Sequence, residues 1–318
     1  MNDVGAMKAQ ARPLRTVLFA PGHDLGAIER AVASGADSVV IDLEEPRTPF
    51  PEAERVRARA LVHDFLGTPA TDTAGPLLFA RVQPPSSGQA LKDLDAVMTR
   101  RLAGILVPKV QGPADVHAAD ALVTNMEVLR DLPPGSVALY PILETAQAIR
   151  LAYEIAVASP RVAHMGGAVS RFGDIHQALG YRWTAVGEET LFLRAKVLTD
   201  ARAAGIRYPI SGMWGGSVDD VDGLRTWATR LRDLGYYGMM IGDPAHVPLV
   251  HDVFTPGPVE IAYWMELDRL ATEAERTGSG PVLYGDANQG EGHVVHIAHI
   301  GSARANLDWA RALGVVEP

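Results

Sequence analysis

Short apolar runs alternate with longer amphipathic segments along most of the chain, and this alternation constrains the fold more than any other sequence feature. Eight runs rich in Val, Ile and Leu are predicted strands, at residues 16–20, 38–42, 77–82, 104–108, 137–142, 162–165, 210–213 and 238–241. Seven segments with apolar residues spaced by three and four are predicted helices, at residues 25–34, 52–65, 91–100, 114–129, 146–158, 188–204 and 221–234. This order predicts parallel strands joined by crossover helices.

Eight strand–helix units favour a closed α/β (β/α)8 barrel, the TIM-barrel fold, while the pattern alone leaves an open doubly wound sheet as the alternative. The 318 residues suffice for one barrel and a C-terminal extension. We predict an N-terminal tail (1–14), a catalytic barrel (15–258) and a helical extension (259–318) that serves as a lid or a subunit-interface arm. Within the extension we expect helices at 259–276 and 303–313, separated by a hinge at 278–281.

Composition excludes several classes of function. The formal charge of −9, without any Lys/Arg run, argues against a nucleic-acid partner. The chain has no cysteine, so disulfides, thiolate metal sites and a cysteine nucleophile are excluded. The sequence has neither a signal-peptide core nor an apolar stretch of membrane-spanning length. We therefore expect a cytoplasmic enzyme without a membrane partner.

Polar side chains follow five of the predicted strands, which is where the functional residues of a barrel stand. Several carboxylates at one barrel mouth would repel each other unless a cation neutralised them. Oxygen ligands suit Mg²⁺ or Mn²⁺. Arg81 offers a planar fork that binds a substrate carboxylate in two places. The residues of this set are Asp42, Glu44, Glu45, Arg81, Lys109, Glu144 and Asp174.

Each of these residues also has a structural interpretation. Asp42 and Glu44 are alternatively helix caps or surface charges, Arg81 a salt-bridge partner and Lys109 a solvated loop residue. Their shared location after successive strands favours the catalytic interpretation for the set.

Histidines give weaker signals. The tail carries His293, His296 and His299, but apolar residues interleave them, which favours a packed lid or interface segment over a metal site. His23 follows the first strand and either faces the site or begins a helix.

Several motifs resemble the citrate lyase beta-subunit-like branch of the HpcH/HpaI aldolase family, which includes relatives of malyl-CoA lyase. The motifs are Arg-Thr-Val-Leu-Phe-Ala-Pro-Gly at 15–22, Gly-Ala-Asp-Ser-Val-Val-Ile-Asp-Leu-Glu-Glu at 35–45, Pro108-Lys109, Pro-Ile-Leu-Glu-Thr at 141–145, Ala-Ala-Gly-Ile at 203–206 and Phe-Thr-Pro at 254–256. They occur in order from Arg15 to about Pro258, roughly three quarters of the chain.

The resemblance implies a barrel of the phosphoenolpyruvate/pyruvate-binding type that assembles as trimers or hexamers. It implies Mg²⁺ held by Glu144 and Asp174, with Asp42 and Glu44 supporting the ion through bound water. It also implies that Arg81 binds the substrate carboxylate. On this basis we predict Arg81, Asp42, Glu44 and Lys109 as catalytic residues and Arg15, Arg81, Gly173 and Pro141 as substrate-binding residues.

The predicted function is a magnesium-dependent carbon–carbon lyase that cleaves or forms a bond next to a 2-oxo acid or a coenzyme A thioester, without a Schiff-base lysine. Two alternatives stay open: a class II aldolase that acts on free 2-oxo acids without coenzyme A, and a non-catalytic barrel that serves as a binding component. A basic cluster at the barrel rim would favour the thioester, and its candidate members are Arg171, Arg182 and Arg207.

Overall fold

The computed structural model describes residues 6–68, 75–167, 169–278, 282–285 and 293–317. Eight parallel strands form one sheet in the order β6-β5-β4-β3-β2-β1-β8-β7. Their bounds are β1 Thr16–Pro21, β2 Ser38–Asp42, β3 Leu77–Arg81, β4 Leu102–Val107, β5 Ala138–Leu143, β6 Gly166–Gly167, β7 Ile210–Ser211 and β8 Gly238–Ile241. The predicted bounds of β2 and β8 agree residue for residue, and the prediction of eight parallel strands is confirmed. The sixth strand was misplaced: residues 162–165 contain an isolated bridge from Val162 to Leu139, and β6 follows them.

Helices precede, separate and follow the strands. They are α1 Ala6–Gln10, α2 Leu25–Ala33, α3 Glu52–Gly67, α4 Ala90–Val97, α5 Pro113–Leu129, α6 Ala146–Arg150, α7 Ala152–Val157, α8 Asp174–Leu179, α9 Leu191–Ala203, α10 Val221–Leu234 and α11 Val247–Phe254. Short 3₁₀ turns cover Pro85–Ser87, Glu188–Thr190 and Pro244–His246. The single helix predicted at 146–158 is divided into α6 and α7 at Leu151.

The ends of the sheet meet between β6 and β7, where glycines permit close approach of the backbones. A Cβ atom on Gly166 would lie 2.6 Å from the carbonyl oxygen of Ile210. A Cβ on Gly212 would lie 2.2 Å from the carbonyl oxygen of Val169. Real Cβ atoms do not approach oxygen so closely, so only glycine fits at these two positions. The sheet therefore curves into a nearly closed barrel, as predicted.

Two apolar clusters follow from the strand period of two. Inward-facing side chains fill the barrel interior, including Val40, Phe79, Tyr140 and Met240. Their outward-facing neighbours pack under the helices. Both strand faces are thus buried, which explains why the strands are nearly continuous apolar runs.

The first helix lies in the segment predicted as a tail. Lys8 of α1 donates from Nζ to the carbonyl oxygens of Ala156, at 2.8 Å, and Ala204, at 3.0 Å. These carbonyls belong to the C-terminal ends of α7 and α9, where a cation is favourable.

The chain divides into two compact units, Met1–Phe254 and Thr255–Pro318. The second unit contains helices α12 (Pro258–Thr277) and α13 (Ile297–Ala312) and an antiparallel pair, β9 (Val282–Tyr284) and β10 (His293–Val295). Arg304 of α13 pairs with Asp268 of α12 across 2.6 Å. The hinge predicted at 278–281 lies outside the described residues except for Gly278. Among the described residues, no helix is long and apolar enough to cross a membrane.

The tail histidines do not share one helix. His293 belongs to β10, and His296 directly precedes α13. The backbone N–H of His296 donates to Nδ1 of His299 at 3.3 Å, which makes this pair a helix cap.

Candidate active site

The strand period places three chemically active side chains at the same end of the barrel. Val40 points into the barrel, so Asp42, two residues later, is on the same face of β2. Phe79 and Arg81 are related in the same way on β3. The alternation along β5 continues to Glu144, which follows the strand. The carboxyl ends of these parallel strands therefore bring two carboxylates and a guanidinium together.

Arg81 and Asp42 form a pair with two hydrogen bonds. Arg81 donates from Nε to Asp42 Oδ1 at 2.8 Å and from Nη2 to Oδ2 at 2.7 Å. The guanidinium also lies over the ring of Phe19, 5.3 Å from its centroid. The acidic groups around Arg81 hold its pKa above the usual range against the opposing effect of burial. Two of the three guanidinium nitrogens, Nε and Nη2, are therefore held by Asp42, and the residue also lines the cleft described below.

Glu44 is buried between two cations. Its Oε1 accepts from Lys109 Nζ at 2.8 Å, and its Oε2 lies 3.3 Å from Arg81 Nη1 without a hydrogen-bond partner among the described residues. Burial raises the pKa of Glu44, and Arg81 and Lys109 oppose that shift. The backbone N–H of Glu44 also donates to Asp42 Oδ1 at 3.0 Å. Much of the predicted carboxylate repulsion is thus relieved by Arg81 and Lys109.

Glu144 has no ion pair with a cationic side chain in the part of the chain that the structure describes. Its Oε1 accepts the backbone N–H of Lys109 at 2.6 Å. The pKa of Glu144 is raised to about 7, and burial is the main cause. The charges of Asp174 and Glu44 act in the same direction, while that hydrogen bond and the charge of Arg81 oppose the shift. A carboxylate in this position is stabilised by any additional cation that binds beside it.

A cleft of about 650 Å³ connects these groups with the loops after β6 and β7. Asp174 is the first residue of α8, and Gly173 precedes that helix in extended conformation. Both line the cleft together with Glu144, Arg81 and Asp42. Lys109 Nζ lies 3.0 Å from Glu45 and 3.7 Å from Asp174. The sequence-predicted carboxylates and Arg81 are therefore gathered at one barrel mouth.

The donor set of this mouth fits magnesium. In the described part of the chain, His, Asp and Glu do not form a group of three or more with the spacing of a metal site. Glu144 and Asp174, which both line the cleft, would supply two oxygen ligands to a bound ion, and Mg²⁺ commonly keeps water and substrate in its remaining positions.

Two predicted substrate-binding residues lie away from this mouth. Arg15 precedes β1 and donates to Asp37 from its backbone N–H, at 2.7 Å, and from Nε, at 2.9 Å. Arg15 and Asp37 directly precede β1 and β2, at the end of the barrel opposite to the cleft. The structure therefore corrects Arg15 from a substrate-binding residue to a structural ion-pair residue. Pro141 is buried in β5 between the inward-facing Tyr140 and Ile142, so its ring is on the outer face and does not line the cleft.

The structure also places two other candidates, a histidine and an arginine. His23 lies 5.8 Å from the Phe50 ring, and its Nδ1 is buried without a hydrogen-bond partner among the described residues. Arg207 precedes β7 and is therefore at the amino end of the barrel, away from the rim at which it was a candidate.

Aromatic and sulfur-containing side chains of the cleft escaped the sequence interpretation. Phe172 and Trp214 line it from loops, and Met213 and Met240 line it near the barrel interior. The only sequence signal was that Phe172 interrupts the glycine-rich stretch after β6.

Known proteins are similar in sequence to nearly the whole chain. The model of the HpcH/HpaI aldolase/citrate lyase family matches residues 15–244. A (3S)-malyl-CoA thioesterase of Cereibacter sphaeroides is 33% identical over 310 residues, which cover 96% of this chain and 98% of the relative. An L-malyl-CoA/beta-methylmalyl-CoA lyase of the same species is 30% identical over 323 residues, covering 95% and 96%.

Solved structures share the fold at lower identity. A citrate lyase from Burkholderia xenovorans superposes with a TM-score of 0.78 at 17% identity, covering 98% of this chain and 96% of that one. The CitE protein of Mycobacterium tuberculosis, in complex with magnesium, acetoacetate and coenzyme A, superposes with a TM-score of 0.67 at 22% identity, covering 95% and 99%. These similarities confirm the barrel prediction.

Proposed function

Since the chain belongs to the HpcH/HpaI aldolase/citrate lyase family, we propose that it is a magnesium-dependent carbon–carbon lyase. It acts next to the carbonyl of a 2-oxo acid, with a coenzyme A thioester as the other reaction partner. The observation that carries the proposal is the convergence of the Arg81 guanidinium with Glu144 and Asp174 in one cleft. The relatives named for malyl-CoA support a thioester substrate.

Arg81 is the proposed anchor for the substrate carboxylate. Asp42 occupies the Nε and Nη2 positions, which fixes the guanidinium plane. The Nη1 edge, 3.3 Å from Glu44, is the part that a substrate carboxylate contacts. Such an ionised hydrogen bond holds the acid in a fixed orientation and attracts negative charge that develops beside it.

Lys109 has two proposed roles. Its backbone N–H orients Glu144, and its ammonium group adds positive charge between Glu44 and Asp174. Mg²⁺ on Glu144 and Asp174 would supply Lewis-acid polarisation of the substrate carbonyl. The ammonium is engaged by carboxylates, which suits an electrostatic role rather than a Schiff base.

The first experiment is product analysis with (3S)-malyl-CoA as the substrate. A lyase releases acetyl-CoA and glyoxylate, and chelation of magnesium should abolish the release. Formation of the same products after exhaustive chelation would contradict the metal dependence. Cleavage only of free 2-oxo-acid aldols would favour the class II aldolase. Absence of both activities and of Mg²⁺ binding would favour the non-catalytic barrel.

Thioester hydrolysis is a second candidate function, because the 33% identical relative is named a thioesterase. Hydrolysis of (3S)-malyl-CoA gives malate and free coenzyme A instead of acetyl-CoA and glyoxylate. The same product analysis therefore separates the two reactions in one assay.

We further propose that the protein is a cytoplasmic homo-oligomer, a trimer or hexamer, in which the second unit acts as a lid or interface arm. The support is the family resemblance of the sequence motifs. Light scattering of the full chain and of a chain ending at Phe254 tests the assembly: a monomeric full chain would contradict it.

A further inference from the structure

Glu144 and Asp174, the two proposed metal ligands, are supported very differently by the fold. Glu144 directly follows β5, whose six residues are all buried. Asp174 begins α8, a helix of six residues in which only Ile175 is buried. The Asp174 side chain is 38% exposed. A short helix with so little buried apolar surface is easily displaced, so other contacts must fix the position of Asp174.

The hydroxyl group of Tyr181 binds both main-chain groups of Ser170. It donates to the Ser170 carbonyl oxygen at 2.5 Å and accepts the Ser170 backbone N–H at 3.2 Å. The two residues are 11 positions apart and lie on either side of α8. Their contact therefore closes the segment that carries Asp174 into a loop.

The Ser170 side chain continues this connection to the start of α8. Its Oγ accepts the backbone N–H of Gly173 at 3.0 Å, and Gly173 directly precedes Asp174. A Cβ atom on Gly173 would lie 2.5 Å from that Oγ, so a larger residue would displace the hydroxyl from the amide. Hydrogen bonds thus run from Tyr181 through Ser170 to the residue before Asp174.

The end of α8 places Tyr181 beside Ser170. Gly180 ends the helix with a left-handed φ of 68°, and its N–H donates to the carbonyl oxygen of His176 at 2.8 Å. The Tyr181 ring packs edge-on against the His176 ring, with 5.1 Å between their centroids. The ring of Tyr181 is therefore held by the same helix whose position its hydroxyl fixes.

We infer that Tyr181 is a positioning residue for the metal site: through Ser170, its hydroxyl holds Asp174 where this carboxylate and Glu144 bind the same ion. Tyr181 does not line the cleft, so its effect on the ion is indirect. The inference rests on the proposed function, which supplies the ion. Mg²⁺ demands nearly ideal octahedral geometry, so a displaced carboxylate costs affinity even when both ligands are present.

Magnesium binding tests the inference directly. Equilibrium dialysis with Mg²⁺ alone compares the wild type with Tyr181→Phe, which keeps the ring and removes the hydroxyl. We expect the affinity for Mg²⁺ to fall by about tenfold, the scale on which residues behind a metal ligand act. Urea unfolding of both proteins establishes that each is folded under the conditions of the dialysis. A role confined to stability would leave the Mg²⁺ affinity of the folded protein unchanged.

Ser170→Ala is a second variant, and it tests the route from Tyr181 to Asp174. It removes the bond to Gly173 but keeps both bonds to Tyr181. Because the two hydroxyl groups act in series, the single variants and the double variant should lose Mg²⁺ affinity to the same extent, within about twofold. Losses that multiply in the double variant would contradict the route through Ser170 and overturn the inference.

Two conservative controls remove similar hydroxyl groups elsewhere on the chain. Tyr153→Phe changes an exposed tyrosine of α7 that does not line the cleft. Ser87→Ala removes a hydroxyl that donates to the carbonyl oxygen of Pro84 at 2.7 Å. Neither control should alter the affinity for Mg²⁺.

The outcomes separate this inference from the proposed function. Unchanged Mg²⁺ affinity in folded Tyr181→Phe would overturn the positioning role, while Mg²⁺ binding by the wild type would leave the proposed function standing. A wild type that does not bind Mg²⁺ would refute the proposed metal site and the positioning role together. Weaker Mg²⁺ binding by Tyr181→Phe, in a protein without lyase activity, would support the positioning role and refute the proposed reaction.

Discussion

Lys109 and Glu144 are joined through the backbone: the Lys109 amide donates to Glu144 Oε1 across 2.6 Å. Lys109 has a positive φ of 55°, a conformation that non-glycine residues rarely adopt. The ammonium group of the same residue lies 2.8 Å from Glu44 Oε1. One residue therefore contacts carboxylates of the site both with its main chain and with its side chain.

Replacement of Glu144 tests the metal site. Glu144→Gln keeps the shape and removes the charge, so we expect Mg²⁺ affinity to fall by about tenfold or more, because one of two proposed oxygen ligands loses its anion. Burial raises the Glu144 pKa to about 7, so an ionised Glu144 is unfavourable in the folded protein without metal. At pH 8 the metal-free variant should thus be at least as stable as the wild type.

Equilibrium dialysis measures the first effect and urea unfolding the second. Glu154→Gln, on the exposed face of α7, is the control and should change neither quantity. Unaltered Mg²⁺ affinity in Glu144→Gln would remove Glu144 from the metal site.

Arg81→Lys tests the fixed fork. A lysine ammonium cannot make the two parallel bonds to Asp42 and present a further donor to the substrate. We expect kcat/KM to fall by about a hundredfold, the scale of a lost charged contact in a transition state. Arg57→Lys, on the surface, is the control. A variant with wild-type kcat/KM would show that Arg81 is only the salt-bridge partner of Asp42.

Lys109→Met separates electrostatic support from metal binding. The substitution removes the ammonium near Glu44 and Asp174 but keeps the backbone N–H that Glu144 accepts. Turnover should fall by about tenfold or more, since an anionic substrate loses a nearby cation. Mg²⁺ should bind at least as tightly, because a competing positive charge is gone.

Lys92→Met, which loses only a surface pair with Glu52, is the control. Weaker Mg²⁺ binding by Lys109→Met in calorimetry would contradict this division of roles and assign the side chain to the support of the metal ligands.

The sequence predicted the barrel well because each strand signal is local. β2 and β8 contain the apolar runs Val-Val-Ile and Met-Met-Ile, and their bounds were predicted correctly. β6 and β7 consist of two residues each, so little periodic signal marks their limits. Position after a strand also located Asp42, Arg81 and Glu144 at one mouth, because parallel strands bring their carboxyl ends together.

The sequence could not predict which side chains pair with each other. Arg15 occurs in a family-like motif, yet its position before β1 puts it at the amino end of the barrel, where Asp37 precedes the next strand. Lys109 contacts Glu44 and Glu45 from a backbone conformation with positive φ. The sequence does not indicate this conformation, because the residue is not a glycine. Loop aromatics such as Phe172 have no period at all, so only the fold shows that they reach the cleft.

His164 makes the stability of the fold depend on pH. It is buried beside Phe79 and Tyr140, and burial lowers its pKa to about 4 from 6.5. Protonation therefore favours the unfolded chain, so this stability is full above pH 6.5 and is lost as pH falls towards 4. Between pH 7.5 and pH 5.0 the loss should be about 2 kcal/mol.

His164→Phe removes the titrating group, and urea unfolding at both pH values measures the difference from the wild type. Comparison of the two chains cancels the opposite contribution of Glu144, whose raised pKa makes the folded state favour the protonated form. His117→Phe, at an exposed position, is the control. An equal pH dependence in His164→Phe and the wild type would show that His164 does not titrate as its burial requires.

Arg15→Ala tests the correction that moved Arg15 out of the substrate site. The variant keeps its backbone N–H but loses the side-chain bonds from Nη2 to Asp37 Oδ1, at 2.7 Å, and from Nε to Oδ2, at 2.9 Å. The free energy of unfolding should fall by about 1–3 kcal/mol, the cost of a partly buried charged contact. The KM for the substrate acid should stay within about twofold of the wild type, because the opposite end of the barrel makes no contact with the cleft. Urea unfolding and steady-state kinetics measure both. A large rise in KM without loss of stability would return Arg15 to the substrate site and make the Asp37 pair incidental.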